Sequence, residues 1–165
     1  MNGAEIIGRS KGTHMLEVEK PADLNAYIGK KLGTSDWVTV DQTMINKFAD
    51  ATGDHQWIHV DVERAKKEMP NGTTIAHGYL TLSLLPMLSD GCYRIRKRSR
   101  GINYGSNKVR FTSPVPAGSR VRLHQTLKAI EPIEGGIRII TEAQVEIEGQ
   151  SRPALVAETI SLAYN

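Results

Sequence analysis

An α+β fold, with an antiparallel sheet wrapped around one long apolar helix, is what this 165-residue sequence predicts. Three observations carry the prediction. Gly78 to Ser89 is apolar on nearly every side, the pattern of a helix enclosed by protein. From about residue 108 onward, apolar positions recur every second residue, as in strands that cover one face. The segments between those runs are turn material rich in Gly and Pro, so consecutive strands should form an antiparallel meander.

A chain of this length suits one domain with a core that needs neither disulfide nor metal. The single Cys92 excludes an internal disulfide and fits a reducing, cytoplasmic setting. No apolar run approaches the roughly 18–20 residues that cross a bilayer, so membrane insertion is not expected. Residues 1–14 lack the apolar core of a secretory signal. Gly12-Thr-His14 before Met15 reads as a cloning remnant or a disordered extension, and the single domain is expected to span 15–165. The net charge of +3 is local, because Arg94-Ile-Arg-Lys-Arg-Ser-Arg100 alone contributes five positive charges. A general polyanion-binding surface is therefore not predicted.

The elements follow in order. Residues 21–33 read as a short helix from an Asp23 cap to a Gly29 stop, and Asp36 to Val40 as a short strand. Asp41 caps a helix whose Ile45, Phe48, Ala49 and Thr52 fall at helical spacing, and Gly53 ends it. Asp54 then opens an irregular connection. Asp61 caps a second helix over 62–69, before the Pro70-Asn-Gly72 turn. Pro86 kinks the apolar helix or closes its regular part. Four late strands are expected around 109–111, 121–129, 137–147 and 154–164, separated by turns at 113–118, 131–136 and 149–153.

Two stretches carry chemistry: Ala51-Thr-Gly-Asp-His-Gln-Trp-Ile-His59, and Thr73-Thr-Ile-Ala-His-Gly78 at the head of the apolar helix. Asp54 and His59 supply a carboxylate and an imidazole, a pair that can hold a water and take its proton. Gly78 offers an unpaired backbone N–H at a helix start and no side chain to obstruct a ligand. Taken singly, Asp54 after a helix-ending glycine also fits an Asx turn, and a lone histidine in a loop is more often structural. His55, His59, Asp54 and Asp61 permit a metal reading, since the two histidines stand four apart, but the Glu of the HExxH pattern is missing, the segment reads as loop rather than helix, and no metal is expected.

With Val109-Arg-Phe111 and Pro114-Val-Pro-Ala-Gly118, these stretches resemble the MaoC-type hydratases, the (R)-specific enoyl-CoA hydratases of the hot-dog fold, and within them the nodulation protein N subgroup. The likeness covers most of residues 21–165. It implies a hot-dog sheet around a central helix, a homodimer, an acyl-CoA substrate and no metal or redox cofactor. It also implies hydration of a trans-2-enoyl thioester by Asp54 and His59, with the Gly78 N–H as oxyanion donor. Gln56-Trp57 stands where the family commonly has Asn-Pro. Gln56 is expected to orient water, Trp57 to reshape the cavity, and His77 to order the oxyanion loop or to serve structure alone. A solvated loop accounts for the 94–100 run. Its functional alternative is a clamp for CoA phosphates, with Arg94, Arg96, Lys97, Lys108 and Arg110 as candidates. Nucleic-acid binding lacks a reading helix or an aromatic platform. The competing functions are a hot-dog thioesterase and a non-catalytic acyl-CoA-binding domain.

Overall fold

The computed structural model describes residues 15–165; the expectations for residues 1–14 lie outside the described residues. Eight strands run over Leu16–Val18 (β1), Lys31–Thr34 (β2), Val38–Val40 (β3), Tyr93–Ile95 (β4), Arg100–Phe111 (β5), Ser119–Ile133 (β6), Gly136–Ile147 (β7) and Leu155–Tyr164 (β8). The α-helices are Gln42–Thr52 (α1), Trp57–Val60 (α2), Val62–Glu68 (α3), Gly78–Ser83 (α4) and Leu85–Ser89 (α5), with a 3-10 helix at Pro21–Tyr27.

The alternating late segments form the sheet, in the order β2-β6-β7-β8-β5, with β3 also paired to β6. Its inner face is apolar because of that alternation. Val121, Leu123 and Leu127 of β6 and Ile139, Val145 and Ile147 of β7 are buried. The outer face carries cross-strand ion pairs such as Arg122 Nε to Glu146 at 2.7 Å, which holds the Glu146 carboxyl below its ordinary range. Strands β6, β7 and β8 form the expected meander, but β5 does not join its far side through β6. It pairs with β8 instead (Lys108 opposite Glu158), so residues 112–118 cross the fold from one sheet edge to the other. The Pro114-Val-Pro116 spacing explains this: both prolines lack the N–H that a tight hairpin would use.

Pro86 has a similar effect on the apolar helix. The expected single helix is broken at Leu84, and Pro86 falls in the first turn of α5, where a missing N–H costs nothing. Leu80, Leu84, Leu85 and Leu88 pack into the core under β6 and β7. The helix is not enclosed on all sides within one chain, however. Tyr79 is 69% exposed and Met87 50%, so one face of α4 and α5 is free.

Three shorter readings change as well. The 21–33 segment is a 3-10 helix followed by β2, because from Lys31 onward the chain can pair with Thr126 of β6. Lys20, not Asp23, is the cap; the Asp23 carboxylate accepts the Lys20 backbone N–H at 3.0 Å. The connection after Asp54 contains a helical turn, α2. The turn expected at 131–136 shrinks to Glu134-Gly135, since the β6–β7 ladder runs to Ile133 opposite Gly136. The basic run starts in β4 and ends in β5, with only its middle as loop.

Candidate active site

The carboxylate arrives at its position through the end of α1. Asp41 caps that helix by accepting the Met44 N–H at 2.8 Å, and Ile45 and Ala49 anchor it in the core. Gly53 closes it at φ +79°, a left-handed conformation that glycine adopts without the steric cost of a side chain. Asp54 follows directly. Its Oδ1 accepts the Gln56 N–H at 3.3 Å, the geometry of an Asx turn, and its side chain stays 55% exposed. The turn and a free second oxygen coexist.

The imidazoles come from α2 and from the residue before α4. His59 is 7% exposed and His77 is 3% exposed, and their rings stack at 3.8 Å between centroids. His59 Nδ1 lies 2.7 Å from the Ile75 carbonyl. A carbonyl can only accept, so Nδ1 carries a proton, and in the neutral ring Nε2 presents its lone pair. His77 Nε2 donates to the Asp54 backbone carbonyl at 2.9 Å and stands 4.0 Å from Asp54 Oδ2. Asp54, His59 and His77 thus bring polar atoms within 4.8 Å of one another. The expected pair is a cluster of three, with His77 as the strut that ties the Asp54 loop to the start of α4. His77 Nδ1 is buried and has no partner among the described residues.

Two supporting residues escape a reading of the sequence. The Gln42 side-chain amide donates to the His59 carbonyl at 2.7 Å, and its oxygen accepts from the Thr74 hydroxyl, which is 2% exposed. One side chain therefore holds both segments of the candidate site. A glutamine in the first turn of an amphipathic helix carries no sequence signal of that role. Gln42→Ala leaves the Thr74 hydroxyl buried without its acceptor, and an unfolding free energy lower by about 1–3 kcal/mol is expected. Chemical denaturation measures it, and an unchanged midpoint and slope would contradict the brace.

Gly78 begins α4, so its N–H has no acceptor within the helix. A Cβ on Gly78 would lie 2.8 Å from the Phe111 ring, so the aromatic face and the helix start approach each other only because the side chain is absent. Beside them a cavity of about 290 Å3 is lined by His59, Ile75, Gly78, Thr81, Phe111 and Val115, among others. The crossing segment forms its wall: the Ala76 N–H donates to Val115 O at 2.8 Å and the Ala117 N–H to Thr74 O at 2.9 Å. A second hollow of about 310 Å3 runs along α4 and α5 past Leu82, Leu85, Ser89 and Gln125.

The other candidates lie elsewhere. Gln56 is exposed, and Trp57 stacks under the Arg64 guanidinium at 4.0 Å; neither lines the His59 cavity. Arg96 pairs with Glu17, Lys97 Nζ lies 2.7 Å from Glu19, and Arg94 is exposed on β4. Lys108 and Arg110 line a groove with Lys128 and Glu158, on the sheet face turned away from the helices. His55 pairs with Asp50 at 3.0 Å, which raises its pKa, and Asp61 caps α3, so the metal set weighed from sequence is not assembled. Burial pushes the Cys92 thiol up to about 12, which removes it as a nucleophile.

A hot-dog sheet around a central helix is the fold of the MaoC-like dehydratases. The chain belongs to that family: the MaoC like domain matches residues 23–148, and the protein is an enzyme of the hydro-lyase class. It is 53% identical over 147 residues to 3-hydroxyacyl-thioester dehydratase Z of Mycobacterium tuberculosis, covering 88% of this chain and 97% of that protein. It is 51% identical over 144 residues to nodulation protein N of Rhizobium leguminosarum bv. viciae, covering 86% and 89%. Among solved structures, the monoamine oxidase regulatory protein from Archaeoglobus fulgius superposes with a TM-score of 0.71 at 25% identity, covering 92% of this chain and 97% of that one. No helix among the described residues is long and apolar enough to cross a membrane.

Proposed function

We propose that the enzyme catalyses reversible syn addition of water to a trans-2-enoyl-CoA, giving the (R)-3-hydroxyacyl-CoA. The supporting observation is the Asp54–His59–His77 cluster, whose His59 shares a cavity with Gly78 and its free N–H. A water between the Asp54 carboxylate and the bare His59 Nε2 has an acceptor for each hydrogen. As its oxygen bonds to C3 it yields a proton to this pair, and the C2–C3 π electrons move toward the thioester oxygen. The Gly78 N–H stabilises the charge that develops there. A proton returns to C2 on the same face, and in reverse the same groups expel water. The hollow along α4 and α5 takes the acyl tail.

The test is direct. Purified protein should remove the enoyl absorbance of crotonyl-CoA or a longer enoyl-CoA without releasing thiol, and chiral analysis should give the (R) product. Thiol release would make it a thioesterase instead. Binding without turnover of any thioester would leave an acyl-CoA-binding domain.

No electrons are transferred overall and the base is a neutral imidazole with a carboxylate, so the chemistry calls for neither redox cofactor nor metal. Chelator treatment is expected to leave kcat/KM unchanged, with no stoichiometric zinc by elemental analysis. Activity lost to chelator and restored by zinc would reassign Asp54, His59 and His77 as ligands.

The reading includes a homodimer. Among the described residues, strand β5 has no neighbour on its outer side, and the free face of α4 and α5 lies beside it. A monomer at assay concentration, measured by light scattering, would contradict this.

A further inference from the structure

The inner face of the sheet departs from its apolar pattern at one level. Gln125 of β6 lies between the buried Leu123 and Leu127, and Thr141 of β7 between the buried Ile139 and Ala143. Alternation along each strand points both side chains inward. Thr159 of β8 is registered opposite Thr141, and Ser106 of β5 opposite Thr159. This polar belt separates two apolar clusters, one holding Leu123, Ala143 and Ala157, the other Leu127, Ile139 and Ala163. Stability alone does not call for it, because apolar side chains of similar shape would fill the same row as well or better.

The belt continues into α5. The Ser89 hydroxyl donates to Gln125 Oε1 at 2.8 Å, and Gln125 Nε2 donates to Thr141 Oγ1 at 3.0 Å. The Thr141 and Thr159 oxygens stand 2.8 Å apart. These four side chains carry five polar hydrogens and make three bonds with one another, so two hydrogens are left over among the described residues. Thr141 is buried, whereas Ser89, Gln125 and Thr159 line the hollow of about 310 Å3 along α4 and α5. Leu82 and Leu85 line the same hollow, so it combines aliphatic contact with unused donors. A purely hydrocarbon tail would cover those donors and offer them nothing in place of water.

The hollow adjoins the reacting end, since Thr81 lines the His59 cavity and Leu82 the hollow. Ser89 stands eleven residues beyond Gly78. That separation is roughly 16 Å along a helix, so the belt faces the far part of an acyl tail. We propose that the enzyme selects acyl chains carrying an oxygen on their distal part, which accepts hydrogen bonds from Gln125 and Thr159. These two residues then determine specificity. The inference rests on the hydration chemistry and on the tail lying in this hollow.

The experiment measures kcat/KM for trans-2-dodecenoyl-CoA and for the same chain bearing one hydroxyl at each carbon of its distal half. At the matching position the hydroxylated chain should exceed the plain one by about tenfold or more, since a site built to hydrogen-bond an oxygen discriminates against its absence. Oxo chains should match the hydroxylated ones, because the groups left over are donors. In Gln125→Leu with Thr141→Val and Thr159→Val, the ratio of oxygenated to plain chain should fall to one or below. The ratio is internal to each protein, so a general loss of activity cancels from it. Thr159→Val alone, at a half-buried position, should lower the ratio in the same direction if the triple variant does not fold.

A wild-type enzyme that favours the plain chain at every position overturns the proposal. So does a preference that survives in the variants, which would leave the belt a purely structural network. Hydration of crotonyl-CoA with refusal of every longer chain would remove the tail from the hollow and keep the chemistry. Inactivity on crotonyl-CoA and on every longer chain would instead sink the hydration chemistry, and the inference with it.

Discussion

Asp54→Asn lowers the hydration rate by about 100- to 10,000-fold while leaving the fold intact, the range lost when a positioned general base is removed. The fold should survive because Asp54 is half exposed and makes one long turn bond through Oδ1, which an asparagine oxygen reproduces. What disappears is the negative charge 4.0 Å from His77 and the proton acceptor facing the water. His59→Gln is expected to lose turnover to a similar degree. If the two act on one water, the double variant should be little worse than the weaker single, because groups working as a unit are not additive. Stopped assays on crotonyl-CoA with thermal melts measure this. A variant of either residue within about threefold of wild type would remove it from the mechanism.

Gly78→Ala has the second large effect, and its origin can be separated. Alanine is the best helix former, so α4 itself tolerates the change. The new Cβ would sit 2.8 Å from the Phe111 ring, a contact that forces the ring or the helix start to move. A donor displaced from the oxyanion costs about 100- to 1,000-fold in kcat, as other oxyanion donors do. Gly78→Ala with Phe111→Ala relieves the clash. Recovery of most of the lost rate in the double variant assigns the defect to displacement of the N–H. No recovery would mean that the cavity needs the glycine for substrate approach, and a fully active Gly78→Ala would mean that the Phe111 ring yields without displacing the N–H.

Much of this architecture was legible in the sequence because period-two alternation and a nearly all-apolar stretch are strong local signals. The β6–β7–β8 meander and the Asp41 and Gly53 boundaries of α1 follow from side-chain chemistry next to the position concerned. The crossing of residues 112–118 was not legible, since pairing β5 with β8 instead of β6 depends on contacts distant in the chain. The break at Leu84 was expected only as a kink or an end of the regular helix at Pro86, because local pattern locates a proline but not the residue where the hydrogen bonding lapses.

The site divides the same way. Asp54, His59 and Gly78 stand out from motif and spacing, and His77 was left between ordering and structural roles until its bond to the Asp54 carbonyl set it in place. Gln42 and Thr74 were invisible, since a bridge between them across 32 positions leaves no mark on either local segment. Two of the five cations chosen for phosphate, Arg96 and Lys97, are matched by Glu17 and Glu19, and sequence gives no means of pairing residues so far apart.

The clasp between Thr74–Ala76 and Val115–Ala117 makes the reactive geometry a late product of assembly. Asp54 and His59 are near neighbours in sequence, yet the cavity wall beside His59 arrives only when a segment more than fifty positions downstream has crossed from one sheet edge to the other. Lesions far from any reactive atom, at the ends of β5 or β6, should therefore silence the enzyme at temperatures where its helices still register as formed.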